Sequence, residues 1–200
     1  NIMKKILFIL AITLLATEAF AARKEYKREI VKEFSVGDNP VLSIENKYGN
    51  IRIIEGTNRK ITFKIEIRGE GRTEEAARKY AESVSVDFSH SGNQVSARTK
   101  FEPLNCNNCG RSVHYIVTAP KSVIPLLENK YGNIYLDNLV QPLTVELKYG
   151  DLFANALNKA TIDISYGKVT MNKCKNLSIE SKYSGIKIDE AGQVVADSKY

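Results

Sequence analysis

The segment Glu146-Leu-Lys-Tyr-Gly-Asp-Leu152 decides the fold, because the chain repeats it at a fixed interval. Equivalent segments are Glu128-Asn-Lys-Tyr-Gly-Asn-Ile134, Asp163-Ile-Ser-Tyr-Gly-Lys-Val169 and Glu180-Ser-Lys-Tyr-Ser-Gly-Ile186. The unit also begins again at the end of the sequence and occurs once near the start, so its tyrosines are Tyr48, Tyr131, Tyr149, Tyr166, Tyr183 and Tyr200. From Tyr131 onward the tyrosines recur at a nearly constant interval of about 17 residues, which is typical of a repeat architecture.

The apolar positions between the tyrosines repeat as well. Within each unit apolar residues alternate with polar ones, which is the pattern of half-buried strands. A unit this short cannot bury its own apolar face, but stacked units share a continuous core. The sequence therefore predicts an all-β fold, a right-handed parallel β-solenoid with coils of about 17 residues. Two of the equivalent sets are Ile134, Leu152, Val169, Ile186 and Val145, Ile162, Ile179, Ala196.

The tyrosines and the glycines after them are expected to form a structural ladder. If Val145 and Leu147 point inward, strand alternation places Tyr149 inward too. We therefore expect the rings to cap the core at a coil corner, rather than to form an exposed strip that stacks sugars. The following glycines are expected to supply the positive φ of the turn; they are Gly49, Gly132, Gly150 and Gly167.

Acidic and basic residues also recur in register. The acids form one outward ladder and the lysines two positions further on form another, so that the charges compensate each other. This arrangement predicts neither a metal site nor a cofactor. The acids are Glu128, Glu146, Asp163, Glu180 and Asp197, and the lysines are Lys130, Lys148, Lys182 and Lys199.

Residues 22–122 are predicted to form a strand-rich part that caps the regular coils of residues 123–200. One short helix is expected at about 73–83, with Thr73 as its N-cap. Strands are expected at 61–67 and 113–117, and a hairpin at 84–88 and 95–99. The sequence stops at Tyr200, where earlier coils turn into their next strand, and we expect the coils to be truncated there.

Residues 1–21 are predicted to be a signal peptide. Lys4 and Lys5 precede an apolar run, and Ala19-Phe20-Ala21 resembles a cleavage site. Cleavage would lower the formal net charge from +6 to +5 by removing Lys4, Lys5 and Glu18. The charges are interspersed, so nucleic-acid binding is not expected, and no later segment could span a membrane as a helix. The mature chain is expected in the periplasm, on the outer-membrane surface or outside the cell.

Cys106-Asn-Asn-Cys109 is the one motif with chemical potential. In an exported chain it is expected to form a small disulfide between Cys106 and Cys109; reduced thiols, or a metal or redox site that includes His114, are the alternatives. With two histidines in the chain, no nucleophile triad or other catalytic motif is present. We therefore expect no enzymatic activity.

Several segments resemble the bacterial putative-adhesin β-strand-repeat family. These are Lys-Glu-Phe34-Ser-Val, Ile44-Glu-Asn-Lys-Tyr-Gly-Asn-Ile51, Glu128-Asn-Lys-Tyr-Gly-Asn-Ile-Tyr-Leu136 and the later Lys-Tyr-Gly coils. The resemblance implies a secreted or envelope-located β-solenoid and supplies no ligand. Export, the solenoid and the absence of catalytic groups together favour an envelope or cell-surface binding and scaffold protein, with adhesion among its expected roles, whose partner is an envelope glycan or protein. Two alternatives remain open, a β-helical enzyme acting on polysaccharide and a periplasmic partner in envelope-stress signalling.

Overall fold

The computed structural model describes residues 23–105 and 108–200. The predicted signal peptide and Cys106 lie outside these residues. Within them the chain forms thirteen strands and one helix. In chain order these are β1 (Lys24–Ser35), β2 (Val41–Lys47), β3 (Ile51–Gly56), β4 (Lys60–Gly71), α1 (Glu74–Glu82), β5 (Val84–Ser91), β6 (Gln94–Phe101), β7 (Gly110–Pro120), β8 (Ile124–Lys130), β9 (Ile134–Leu136), β10 (Leu143–Lys148), β11 (Leu152–Ser165), β12 (Lys168–Lys182) and β13 (Gly185–Lys199).

The repeat places successive strands side by side in parallel. Leu143 pairs with Ala160, Ala160 with Leu177 and Leu177 with Val194. Equivalent positions of successive repeat units therefore lie side by side. The first row consists of β5, β6, β2, β8, β10 and the later parts of β11–β13. Of these strands, β2, β8, β10 and the later parts of β11–β13 lead into a repeat tyrosine. The second row consists of β1, β4, β7, β3, β9 and the earlier parts of β11–β13. Of these strands, β3, β9 and the earlier parts of β11–β13 follow a repeat tyrosine.

The two rows enclose one hydrophobic core, and the sheet as a whole is nearly closed, like a barrel. Ile134, Leu152 and Val169 are completely buried, as their equivalent positions in the repeat predict. In the last coil the corresponding residue, Ile186, is 39% exposed, because β13 pairs only with β12 within the described residues. The predicted apolar positions therefore do line the core of the preceding coils.

The segment between β3 and β8 covers one end of the coils. Helix α1 lies where it was predicted: Thr73 accepts a hydrogen bond from the Ala76 N–H at 3.1 Å, and Ala77, Tyr80 and Ala81 are buried. The helix packs closely on β4, since a Cβ at Gly69 would lie 2.0 Å from the Ala77 carbonyl oxygen. An aromatic cluster of Phe34, Phe63 and Phe88 joins the outermost strands of the two rows, with ring centroids 5.3–6.0 Å apart.

The predicted right-handed parallel β-solenoid is not confirmed, because the sheet is mixed. β1 pairs with β4, β4 with β7, and β5 with β6 in antiparallel fashion. The predicted hairpin is present, but the turn was expected to span His90 to Asn93 and is only Gly92-Asn93, because β5 continues to Ser91. Strand β1, a twelve-residue strand, was not predicted from the sequence. Among the described residues, none of the helical structure is long and apolar enough to cross a membrane.

Candidate ligand-binding surfaces

The repeat tyrosines lie on the outside of the molecule. We call Tyr48, Tyr131, Tyr149, Tyr166 and Tyr183 the tyrosine ladder; their exposed fractions rise from 37% at Tyr48 to 58% at Tyr183. The prediction that these rings cap the core is therefore wrong. Alternation does hold as far as Leu147 and Lys148, but Tyr149 has a φ of 56°, which ends the strand and turns its ring outward. All five tyrosines have φ between 48° and 62°.

The rings of the tyrosine ladder stack on one another. Neighbouring ring centroids are 4.9–5.3 Å apart, and the ring planes are 4–12° from parallel. Phe101 extends the column beyond Tyr48 with an edge contact at 5.6 Å. Tyr200 is 95% exposed and forms no ring stack among the described residues. Because ring faces inside the column cover each other, the column presents ring edges and hydroxyl groups to solvent.

The glycines after the tyrosines permit a close backbone approach between coils. A Cβ at Gly132 would lie 2.0 Å from the carbonyl oxygen of Gly49, and one at Gly150 would lie 2.1 Å from that of Gly132. The same applies to Gly167 against Gly150, at 1.9 Å, and to Gly49 against the carbonyl of Val113, at 2.0 Å. The ladder of glycines is thus present, but in these coils the tyrosine adopts the positive φ that was expected of glycine.

Two buried asparagines hold the first corners of the ladder. Asn46 donates hydrogen bonds to the carbonyls of Gly49 and Val113, and Asn129 donates to those of Gly49 and Gly132 at 2.9 and 3.0 Å. Each occupies the second position before its tyrosine, where Leu147 and Ile164 stand in later coils. This role was not predicted, although Asn at an otherwise apolar inward position indicates a buried side chain that needs hydrogen-bond partners.

Charged ladders run beside the tyrosines on the first row. Glu45, Glu128, Glu146 and Asp163 lie in direct register across four strands. Burial raises the pKa of Glu128, and the neighbouring carboxylates of Glu146 and Glu45 raise it further. Lysines neutralise part of this negative charge, since Lys148 pairs with Glu146 at 2.8 Å. Lys130 instead lies over the Tyr131 ring, 5.3 Å from its centroid.

A second candidate surface is a groove of about 510 Å³ on the outer face of the second row. We call it the cap groove; it lies where the cap joins the first coils. Strand β7 forms its floor with His114 and Ile116. Its walls come from β1 and β4 on one side and from β3 and β9 on the other, and its charged residues are Glu29, Arg52, Lys64, Glu66 and Arg68.

Both acidic residues of the cap groove are engaged by cations. Lys64 pairs with Glu29 at 3.1 Å, and Arg68 pairs with Glu66. Arg52 has no ion-pair partner among the described residues, and its guanidinium lies 4.9 Å from the centroid of the Tyr135 ring. The Tyr135 ring in turn stacks on Phe153 at 5.2 Å.

His114 lies half-buried in the floor of the cap groove. Burial lowers its pKa, and the positive charge of Arg68 lowers it further, while Glu66 acts in the opposite direction. The ring Nδ1 accepts a hydrogen bond from the Asn50 N–H at 3.3 Å, and Nε2 lies 3.1 Å from the Ser112 hydroxyl. This arrangement suits the neutral ring, because a proton on Nδ1 would displace the Asn50 bond.

The predicted disulfide between Cys106 and Cys109 stays a prediction, because Cys106 lies outside the described residues. Cys174 is free and buried, in register with Leu157 and Ala191. Burial raises the pKa of the Cys174 thiol. This cysteine therefore belongs to the core and not to the predicted Cys106/Cys109 motif.

Comparison with known proteins gives likenesses to solved structures. The chain matches no protein-family model and none of the curated proteins. A solved structure described as a putative cell adhesion protein from Clostridium sporogenes covers 88% of this chain and 99% of its own, with 12% identity and a TM-score of 0.50. Two others are described as putative adhesins. The one from Bacteroides fragilis has 13% identity, coverage of 86% and 96%, and a TM-score of 0.35. The one from Parabacteroides distasonis has 9% identity, coverage of 86% and 95%, and a TM-score of 0.34.

The first of these likenesses extends over nearly the whole described chain, so it concerns the cap and the coils together. At this level of identity it is a likeness of fold. The chain therefore has the all-β fold of a bacterial putative cell adhesion protein, as its resemblance to the putative-adhesin family predicted.

Proposed function

We propose that this chain is a non-catalytic binding and scaffold protein of the bacterial cell envelope or cell surface, and that its tyrosine ladder holds an extended glycan. One observation carries the proposal: five exposed tyrosines lie in one straight column, one from each coil. The predicted signal peptide and the fold shared with a protein described as a putative cell adhesion protein support a location outside the cytoplasm. Periplasm, outer-membrane surface and extracellular space all fit this proposal.

The chemistry of the column favours a hydroxyl-rich polymer. Each phenol group both donates and accepts a hydrogen bond. Successive hydroxyls recur at the strand spacing of ~4.8 Å, so the column offers an extended polymer a contact on every coil. Individually weak contacts that form on one linked chain add up to strong binding. The neighbouring ladders hold similar numbers of acids and lysines, so their net charge is small, which favours a neutral glycan over a highly charged one.

The regular coils supply the constant spacing. We propose that β8–β13 form a right-handed β-solenoid on which the cap of residues 22–122 rests. The parallel pairings, each shifted by one repeat unit, support this proposal. Each added coil would then extend the tyrosine column by one ring without changing its geometry.

Replacing tyrosine by phenylalanine tests the proposal without disturbing the stack. The triple variant Tyr131→Phe, Tyr149→Phe, Tyr166→Phe keeps three stacked rings and removes three hydroxyls. Each net hydrogen bond contributes ~0.5–1.5 kcal/mol, so we expect the affinity for immobilised neutral polysaccharide to fall by more than about tenfold. The matched control is Tyr26→Phe in β1, outside the ladder.

Two outcomes would contradict this proposal. One is a wild-type protein that binds no neutral polysaccharide in a glycan array but captures an envelope protein. The other is a triple variant that binds glycan as tightly as wild type. Thermal unfolding of the variant, followed by circular dichroism, checks that the fold is retained.

The cap groove favours a second candidate function, a β-helical enzyme acting on polysaccharide. It brings two carboxylates, Glu29 and Glu66, into a groove lined by basic residues. Both carboxylates are already paired with cations of the same groove, which is why we prefer binding to catalysis. Release of new reducing ends from a polysaccharide by wild type, abolished in Glu66→Gln, would favour the enzyme. The envelope-stress alternative stays a prediction, which the neighbouring genes would test.

A further inference from the structure

The cap groove carries one more cation than its acidic residues neutralise. Lys64 and Arg68 each have a carboxylate partner, whereas Arg52 rests on the face of the Tyr135 ring. Stacking on an aromatic ring uses the face of a guanidinium and leaves the N–H groups at its edge available. The Arg52 side chain is therefore held in place with hydrogen-bond donors that an incoming anion can use.

The register of the sheet places a second cation opposite Arg52. Ile116 of β7 pairs with Arg52 on one side and with Lys64 on the other. Adjacent strands are ~4.8 Å apart, so the backbones of Arg52 and Lys64 are separated by about 10 Å. Both are long side chains that can converge over the strand between them. Ile116 itself is 40% exposed and supplies an apolar surface below them.

The floor adds polar groups beside this apolar surface. His114 lies two positions before Ile116 on the same face of β7, next to Asn50 of the neighbouring chain segment. The groove thus combines cations above an apolar patch with uncharged polar groups at one end. Such a combination matches a sugar ring, which has an apolar C–H face and polar edges, when the ring carries one anionic substituent.

We propose that the cap groove binds an acidic sugar, in which a carboxylate, sulfate or phosphate group lies between Arg52 and Lys64 and the ring rests on Ile116. Arg52 is the principal anion ligand, and Lys64 is shared between the ligand and Glu29. This site is separate from the tyrosine ladder and does not depend on the function proposed for it. It assigns the protein a second ligand class, acidic glycan, on its second row of strands.

Isothermal titration calorimetry at low salt tests this inference with the purified chain. The ligands are an oligogalacturonate, a sulfated oligosaccharide, a neutral oligosaccharide of equal length and inorganic sulfate. Because a neutral oligosaccharide can also bind the tyrosine ladder, this comparison uses the triple tyrosine variant. We expect it to bind the two acidic oligosaccharides at least about tenfold more tightly than the neutral one and than inorganic sulfate. Arg52→Gln should weaken the binding of both acidic ligands by about tenfold.

The matched control is Arg98→Gln, which removes one arginine from the first row, where Arg98 pairs with Glu45. Arg98→Gln should leave the affinities for the two acidic ligands unchanged, as should the triple tyrosine variant, whose expected loss concerns neutral polysaccharide. Equal losses in Arg52→Gln and Arg98→Gln would overturn the proposal, since binding would then follow net charge alone. Inorganic sulfate that binds as tightly as the sulfated oligosaccharide would also overturn it, because the sugar ring would then contribute nothing.

Discussion

The tyrosines of the ladder adopt a backbone conformation that bulky residues avoid. Left-handed φ values cost an ordinary L-residue roughly 1–2 kcal/mol. A stacked aromatic pair contributes about 0.5–1.5 kcal/mol beyond area burial, and a ring inside the column, such as Tyr149, has two stacked neighbours. The two terms are of similar size. Stacking along the column therefore offsets the strain at each corner.

The close approach of the corner glycines leads to a stability prediction. Gly150→Ala should lower the free energy of unfolding by roughly 2–3 kcal/mol, because its Cβ would meet the Gly132 backbone, which cannot move aside independently. Urea denaturation followed by circular dichroism measures this change. Gly185→Ala is the matched control in a later coil, since its Cβ would meet only the Lys168 side chain at 3.7 Å.

We expect Gly185→Ala to change the free energy of unfolding by no more than about 0.5 kcal/mol. Equal effects of the two substitutions would show that the loss of backbone freedom, and not the contact between coils, determines the response.

His114 predicts a dependence of stability on pH. Its pKa in the folded protein lies below the usual 6.5, first because of burial and then because of Arg68, against the opposing effect of Glu66. As the pH falls below about 6.5, the unfolded chain therefore takes up this proton before the folded chain does. The stabilising contribution of the neutral ring is present above that pH and is lost as the pH falls.

Urea denaturation of His114→Gln between pH 5 and pH 7.5 should show a weaker loss of stability on acidification than wild type shows. His90→Gln removes the chain's other histidine. A pH dependence that is reduced in His90→Gln and unchanged in His114→Gln would contradict the assignment.

The sequence predicts which residues of a coil point inward, but it does not predict the outward orientation of the tyrosines. The inward positions of Val145, Leu147 and Leu152 follow from alternation, and all three are buried. Side chains alternate between the two faces of a strand only while φ stays negative, and a single residue with positive φ ends this alternation. Tyrosine gives no local indication of that conformation, since its cause is the contact between rings and glycines of adjacent coils.

At the scale of elements, helix α1 is held at both ends by polar contacts from outside the helix. Thr73 caps its N-terminus, and Arg28 of β1 reaches its C-terminal end. The Arg28 guanidinium donates to the Ala81 carbonyl at 3.1 Å and to the Val84 carbonyl. The first of these bonds adds a donor to a carbonyl in the last turn of the helix, and the second reaches the first residue of β5. They also link the outermost strand of the sheet to the helix that covers the coils.

Arg28→Met should therefore destabilise the cap. The substitution keeps a long apolar side chain and removes the donors, so we expect a loss of about 1–3 kcal/mol in the free energy of unfolding. Hydrogen exchange should become faster in α1 and β1 while β10–β12 stay protected. Lys27→Met is the control, since Lys27 is exposed on the same strand and pairs only with Glu25 among the described residues. Faster exchange throughout the coils would contradict a local role.

The order of the strands in the sheet explains why the cap groove was not predicted. Helix α1 and strands β4 to β7 are marked by local patterns, and each of them is present. The groove arises from the order β1-β4-β7-β3-β9, which brings Glu29, Lys64, His114 and Arg52 onto one face although they are far apart in sequence. Nothing local specifies that order. Strand β1 was itself missed, because its apolar residues are few and only half-buried.

At the scale of the whole molecule, one candidate surface is repetitive and the other is a single site, because different kinds of strands build them. The tyrosine ladder consists of equivalent residues from successive coils, so it is uniform along its length. The cap groove combines strands from the cap and from the first coil, so it occurs once within the described residues. A protein built in this way joins a repetitive surface, suited to a polymer, to a single site suited to one residue of a glycan.

The insertion of β4, α1, β5, β6 and β7 between β3 and β8 has a consequence for the order of folding. Strands β2 and β3 pair with β8 and β9, which the chain reaches only after this inserted segment. Strands β11, β12 and β13 each pair instead with the strands of the repeat unit just before them. Contacts between distant residues form slowly, because a long loop must close before they contribute. During synthesis, we therefore expect β2 and β3 to form these pairings only after β8 and β9 have been made. The coils synthesised last are the ones that can pair without delay.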